Sequence, residues 1–313
     1  MLRDVTEVGV ATTLLGTETR APVAVAPTTL QRAAHPDGEL AMARAVKAAG
    51  SLLVVSSNAG TPFAEIGDTD VPWWLQMYVT ADRRLSEPVV HAALEAGARA
   101  LVLTADTPVV GTKVRGERSV WESVQPGWLR VNFPEDVEGL GAEKATDLGP
   151  HDIAWLRDTF GVPVVVKGVL HPADARRCVE AGAAAVWVSN HGGRQSPRAI
   201  ATADALPAVV DEVGADAEVY VDGGLRRGVH LVAAGALGAR ACFLGRPPLY
   251  ALAAGGDEAV EQLLAGVETE LVEALRLVGV GSYDELDRGV LAGFPAGADL
   301  GGDPGFASPP SRS

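Results

Sequence analysis

The chain has 313 residues, with 26 basic against 40 acidic side chains, a formal net charge of −14, and a hydrophobic fraction of 47% that can fill a sizeable core. Such an acidic balance argues against nucleic acid or an anionic membrane as a partner, while leaving room for a local basic pocket. No apolar run reaches the length of a membrane span and no secretory-signal pattern opens the chain, so a cytoplasmic location is expected.

Residues 1–21 form a lead-in whose Thr-rich 11–19 stretch reads as a hairpin. From residue 22 the pattern alternates. Residues 22–27 make a first strand and 38–49 a helix; 52–56 a second strand, followed by a short helix at 62–66; 73–77 a third, followed by a helix at 87–96; and 100–104 a fourth. Residues 109–149 are a long, irregular segment containing Gly and Pro, of the length that usually signals a functional lid or disorder. The rhythm resumes with helix 151–160, strand 162–166, helix 172–181, strand 184–188, helix 203–213, strand 218–221, helix 228–234 and strand 240–244.

Eight strands alternating with helices are the pattern of an α/β fold, a (β/α)8 TIM barrel, here over residues 22–294. A C-terminal amphipathic helix at 257–277 follows the last strand, and the Gly-, Pro- and Ser-rich 295–313 reads as a disordered tail. A doubly wound open sheet would call for a Gly-rich fingerprint after the first strand, and Pro27-Thr28-Thr29-Leu30 is not one. Cys178 and Cys242 lack metal-ligand spacing and read as buried thiols; no metal site is expected.

A barrel of this kind gathers the carboxyl ends of its strands on one face. The residues there include Pro27, Thr28 and Thr29, then Ser56, Gln76, Tyr78, Thr104, Asp106 and Lys167. The later strands contribute Ser189, His191 and Arg194, then Asp222, Gly223, Gly224 and Arg226, then Gly245 and Arg246. Taken singly, Ser56 or Asp222 would serve as well to cap the next helix. Lys167 ends a Val-Val-Val run, where a buried ammonium needs an anionic partner.

His191 can exchange a proton near neutral pH, and Arg194 offers a planar fork suited to a carboxylate. Together they suggest attack on a small hydroxy or keto acid. The arginines among glycines after the last two strands fit a phosphorylated cofactor.

The stretches Ala26-Pro-Thr-Thr-Leu-Gln31, His35-Pro-Asp-Gly-Glu39, Gln76-Met-Tyr78, Thr104-Ala-Asp-Thr-Pro108, Lys167-Gly-Val169, Ser189-Asn-His-Gly-Gly-Arg-Gln195, Asp222-Gly-Gly-Leu-Arg-Arg-Gly228 and Gly245-Arg-Pro247 occur in one order along the chain. With them the chain resembles the FMN-dependent α-hydroxy-acid oxidising family, which includes glycolate oxidase, lactate oxidase, lactate monooxygenase and mandelate dehydrogenase. The resemblance implies oxidation of an L-2-hydroxy acid to the 2-keto acid, with the reduced flavin reoxidised by dioxygen, giving hydrogen peroxide, or by another acceptor. It further implies His191 as base oriented by Asp106, Arg194 on the substrate carboxylate, Tyr78 on the substrate hydroxyl, and Lys167 beside the flavin N1 and C2 carbonyl. Ser56, Gln76 and Thr104 would contact the isoalloxazine edge, with Pro27, Thr28, Thr29 and Ser189 alongside. Asp222 and Gly223 would meet the ribityl chain, and Gly224, Arg226, Gly245 and Arg246 the phosphate. A homo-oligomer, a tetramer or larger, is expected by the same analogy.

Three departures stand out. Relatives begin with several dozen more residues that cover the barrel floor and supply a tyrosine to the substrate carboxylate, whereas this chain starts at Met1-Leu2-Arg3-Asp4. The expectation is a native start upstream or a clamp short of one member. Gly111-Thr112-Lys113 stands where relatives have Gly-Arg-Arg, which makes Lys113 a candidate substrate contact with a point charge instead of a fork. Asn58 replaces a pocket-lining tryptophan. Two other readings remain open: a non-catalytic barrel that binds FMN or another phosphate ligand, and a flavin-dependent isomerase. A binder has no need of a base, and an isomerase would not call for the His-x-x-Arg pair.

Overall fold

The structure, a computed structural model, describes residues 3–109, 124–134, 143–196 and 198–291. A short antiparallel hairpin, β1 (Thr12–Leu14) and β2 (Thr17–Thr19), precedes the barrel. Eight parallel strands then close on themselves: β3 (Val23–Val25), β4 (Leu53–Ser56), β5 (Trp73–Met77), β6 (Leu101–Thr104), β7 (Val164–Val169), β8 (Ala185–Val188), β9 (Glu218–Asp222) and β10 (Ala241–Leu244). β10 pairs with β3 through Cys242, Phe243 and Leu244 against Val23, Ala24 and Val25, so no edge is left unpaired. The barrel read from strand–helix alternation is the fold found.

Helices surround the sheet: α1 (Gly38–Ala48), α2 (Phe63–Gly67), α3 (Glu87–Glu95), α4 (Pro150–Phe160), α5 (Pro172–Glu180), α6 (Thr202–Val213), α7 (Gly228–Ala236) and α8 (Arg246–Val278). Their ends follow local chemistry. α4 opens with Pro150, while Asp152 accepts a 2.9 Å hydrogen bond from the Gly149 N–H, and it ends where Gly161 takes φ +66°. The final helix begins at the end of β10 and is broken at Gly255 and Gly256, the latter at φ +65°; the helix expected at 257–277 is its second half. No described helix is long and apolar enough to cross a membrane.

Two faces of each strand make two cores. Outward residues meet the helices, and inward ones fill the barrel with Leu52, Val54, Trp74, Val102, Val165, Trp187, Tyr220 and Phe243, each fully buried. The Trp187 and Phe243 ring centroids lie 3.9 Å apart and those of Trp74 and Tyr220 5.8 Å apart. Below them the hairpin plugs the floor: Leu14 joins the interior core, and the Leu15 N–H donates to Glu218, which also accepts from the Tyr220 hydroxyl at 2.6 Å.

Two strands differ from their expected spans by more than one residue at an end, and the reasons are local. β3 is confined to three residues between Pro22 and Pro27, neither of which can donate a ladder hydrogen bond. β7, expected at 162–166, runs from Val164 to Val169, because Pro163 cannot join the ladder as a donor and Gly168, at φ +106°, forms a bulge that lets the strand continue. Lys167 is therefore inside the strand. The expected tail at 295–313 lies outside the described residues.

Candidate active site

The carboxyl ends of the strands place the sequence candidates on one face, and their side chains interlock. Lys167 is 5% exposed, and its Nζ sits 2.8 Å from the Ser189 hydroxyl and 3.1 Å from Asp222 Oδ2, 5.2 Å over the Trp187 ring. The buried ammonium thus has the anionic partner it needs. Gln76 donates to the Thr104 hydroxyl at 2.9 Å, and the Thr29 and Ser56 hydroxyls are 3.2 Å apart. Thr28 accepts from the Gln31 amide at 2.9 Å, and Pro27 is half-buried beside it.

His191 follows β8 in a single turn of 3-10 helix, in a left-handed conformation at φ +56° and with its N–H bonded to the Ser189 hydroxyl. That turn aims the imidazole at the loop after β6, where Nδ1 lies 2.9 Å from Asp106 Oδ1. Asp106 also accepts from the Thr107 hydroxyl at 3.1 Å, and Thr107 in turn accepts from Gln195 at 2.7 Å. Burial on its own would raise the Asp106 carboxyl; the hydrogen bond and charge of His191 and the charge of Lys167 outweigh it and hold the group below its ordinary value.

Gly168 makes this pairing possible. A Cβ at that position would lie 2.6 Å from Asp106 Cβ and 2.9 Å from its backbone nitrogen, so only glycine lets β7 pass so close to the loop.

Tyr78, the residue after β5, is half-buried. Its phenol is pushed up to about 12 by burial and by the Asp106 charge, partly offset by a hydrogen bond with Thr107 and the charge of Arg194. Arg194 itself is exposed at the rim, close enough for its charge to act on Tyr78.

On the opposite side of the strand ends, Asp222 Oδ1 is buried with no hydrogen-bond partner among the described residues. Gly223 and Gly224 follow at φ +96° and +78°, and a Cβ on Gly224 or Gly245 would meet nothing within 4 Å. Arg226 and Arg246 are exposed there, at the amino-terminal ends of α7 and α8. Arg246 also reaches across to the loop after β8, donating to the Gly192 carbonyl at 3.3 Å.

This donor set fits FMN. The orphaned carboxylate oxygen calls for a hydroxyl such as a ribityl chain supplies, and two guanidinium groups with open glycine backbone at helix amino termini suit a phosphate. Lys113 lies outside the described residues. Thr107, Gln195 and Gly168 were not among the sequence candidates, although all three stand inside matched stretches, Thr104–Pro108, Ser189–Gln195 and Lys167–Val169.

The chain's residues 1–293 match the model of the FMN-dependent dehydrogenase family. It is 38% identical to an L-lactate oxidase from Nostoc sp., over 93% of this chain and 85% of that protein. An L-lactate dehydrogenase from Caulobacter sp. is 37% identical over 93% of this chain and 86% of its own length. Among solved structures, a mandelate oxidase with benzoyl-formic acid superposes with a TM-score of 0.84 at 38% identity, covering 92% of this chain and 83% of that one. With a matching barrel, a donor set that fits the cofactor and relatives above one-third identity along nearly its whole length, the chain belongs to the FMN-dependent 2-hydroxy-acid oxidases and dehydrogenases, oxidoreductases acting on CH–OH donors, with FMN as cofactor.

Proposed function

We propose that this chain oxidises an L-2-hydroxy acid to the 2-keto acid, with His191 as base and Arg194 as the carboxylate clamp. The observation that carries the reading is the 2.9 Å contact between His191 Nδ1 and Asp106 Oδ1. It commits Nδ1–H to the carboxylate and leaves Nε2 as the basic nitrogen facing the substrate side. A purely binding barrel has no use for such a pair.

In this reading the substrate carboxylate is held by the Arg194 fork at the rim. Tyr78 remains a phenol at neutral pH, its value being about 12, and its O–H donates to the substrate oxygen. His191 Nε2 accepts the hydroxyl proton, and Asp106 stabilises the imidazolium so formed. FMN, when bound, would supply the two-electron acceptor, receiving the α-hydrogen together with its bonding electron pair as the carbinol carbon becomes a carbonyl. Lys167, fixed between Ser189 and Asp222, offers a positive charge where the isoalloxazine edge would lie. Ser56, Gln76, Thr104, Thr28 and Thr29 would line that edge, and Asp222, Gly223, Gly224, Arg226, Gly245 and Arg246 would hold the ribityl phosphate. The reduced cofactor would pass the electrons to dioxygen, giving hydrogen peroxide, or to another acceptor.

The test is anaerobic mixing of the FMN-loaded protein with L-lactate, glycolate and mandelate while the flavin absorbance is followed. Bleaching by at least one, lost in His191→Ala although that variant stays yellow, is the expected result. A His191→Ala protein bleached at the native rate would remove His191 from the mechanism.

A further inference from the structure

The half-buried Lys144 lies in the segment between β6 and α4, where sequence patterning is silent. The backbone there is strapped to the residues just after Tyr78. The Ala81 N–H donates to the Glu143 carbonyl and the Ala145 N–H to the Val79 carbonyl, both at 2.8 Å, around an isolated antiparallel bridge between Thr80 and Lys144. The strap sets Lys144 directly over the aromatic ring of Tyr78, with Nζ 3.5 Å from the centroid. That distance is well inside the range of about 6 Å over which a cation is attracted to a ring face.

We propose that Lys144 is a positioning residue for Tyr78: its ammonium clamps the ring against rotation and draws electron density from it, making the phenol a stronger donor to the substrate oxygen. The inference rests on the assignment of Tyr78 to that oxygen. Two consequences follow from the geometry. The ammonium acts on the face of the ring while Asp106, Thr107 and Arg194 act on its phenolic side, so the ring is held from two directions. And because oxygen negativity changes as the hydroxyl becomes a carbonyl, a donor held in place and polarised in advance favours the reacting geometry over the resting one.

A double-mutant cycle tests it: Lys144→Met, Tyr78→Phe, the pair together, and Lys144→Arg, each loaded with FMN. The readouts are the limiting rate and half-saturation of anaerobic bleaching by whichever of L-lactate, glycolate or mandelate bleaches the native protein fastest, with FMN affinity by fluorescence titration. Lys144→Met is expected to lower the limiting rate about three- to tenfold. Half-saturation and FMN affinity should move little, and Lys144→Arg should retain most of the rate. In the Tyr78→Phe background the lysine change should add less than about twofold, since the proposed route runs through the phenol that this background lacks.

Equal losses in both backgrounds, with Tyr78→Phe itself impaired, would overturn the inference alone and leave the role of Tyr78 standing. A Tyr78→Phe protein bleached as fast as the native one would remove Tyr78 from the reaction, and the inference with it. Loss of FMN binding in Lys144→Met matched by Lys144→Arg would show a structural strap and refute polarisation.

Discussion

Replacing Gly168 by alanine is expected to separate Asp106 from His191 without substituting either. The new Cβ would stand 2.6 Å from Asp106 Cβ, 2.7 Å from Cγ and 2.9 Å from the backbone nitrogen. Carbon atoms in contact settle at about 3.5–4.0 Å, so the loop must retreat by roughly 1 Å. The 2.9 Å bond from His191 to Asp106 would then stretch past hydrogen-bonding range. A lost hydrogen bond to a charged group costs about 1.5–3 kcal/mol, equivalent to roughly 10- to 150-fold in the rate of flavin reduction. Some stability is lost as well, since a non-glycine residue at φ +106° carries strain of about 1–3 kcal/mol. Stopped-flow bleaching of Gly168→Ala, Asp106→Asn and the double variant provides the assay. The double variant should be no slower than Asp106→Asn, because both changes remove one bond. A folded, yellow Gly168→Ala protein reduced at the native rate, or losses that multiply in the double variant, would refute the reasoning.

Asp222→Asn should weaken FMN binding about 10- to 100-fold by fluorescence titration, since the orphaned Oδ1 and its charge are what the ribityl hydroxyl would meet. Lys167→Met strands the Asp222 carboxylate in a buried site, a loss of about 3–5 kcal/mol that the double change Lys167→Met with Asp222→Asn should partly restore in the apoprotein's melting temperature. Because the folded Asp106 value is depressed, its contribution to stability is present above the unfolded value of about 3.9 and fades as pH falls through the folded one. Melting temperatures taken between pH 6 and pH 3 should therefore drop more steeply for the native protein than for Asp106→Asn. With Tyr78 at about 12, any alkaline limb in the reduction rate between pH 7 and 10 should survive in Tyr78→Phe.

The barrel was legible because each parallel strand is buried on both sides and reads as an apolar run, such as Leu101–Thr104 or Ala185–Val188, followed at once by polar residues. The gathering of Lys167, Ser189 and Asp222 followed from closure, which brings neighbouring strand ends together whatever their separation in sequence. Contacts that depend on backbone detail were not legible. The β7 bulge at Gly168 leaves no mark in an apolar pattern, and neither does the reach of Arg246 to the Gly192 carbonyl. Lys144 lies in a stretch without periodicity, and backbone strapping that the pattern does not show sets it over Tyr78. The start of α8 was missed because Gly255 and Gly256 interrupt its pattern, which leaves the first two turns looking like loop.

The rings of Trp74, Trp187, Tyr220 and Phe243 fill the barrel from wall to wall, and Leu14 stops its lower end. Among the described residues the barrel floor is closed, so traffic to the strand ends comes from above. The hydroxy acid and any electron acceptor bulkier than dioxygen would then approach the same face, and the keto acid would have to leave it before such an acceptor could reach the site. Turnover with a large dye acceptor should then follow a substituted-enzyme scheme, with parallel double-reciprocal lines and the hydroxy acid itself competing against the dye at high concentration.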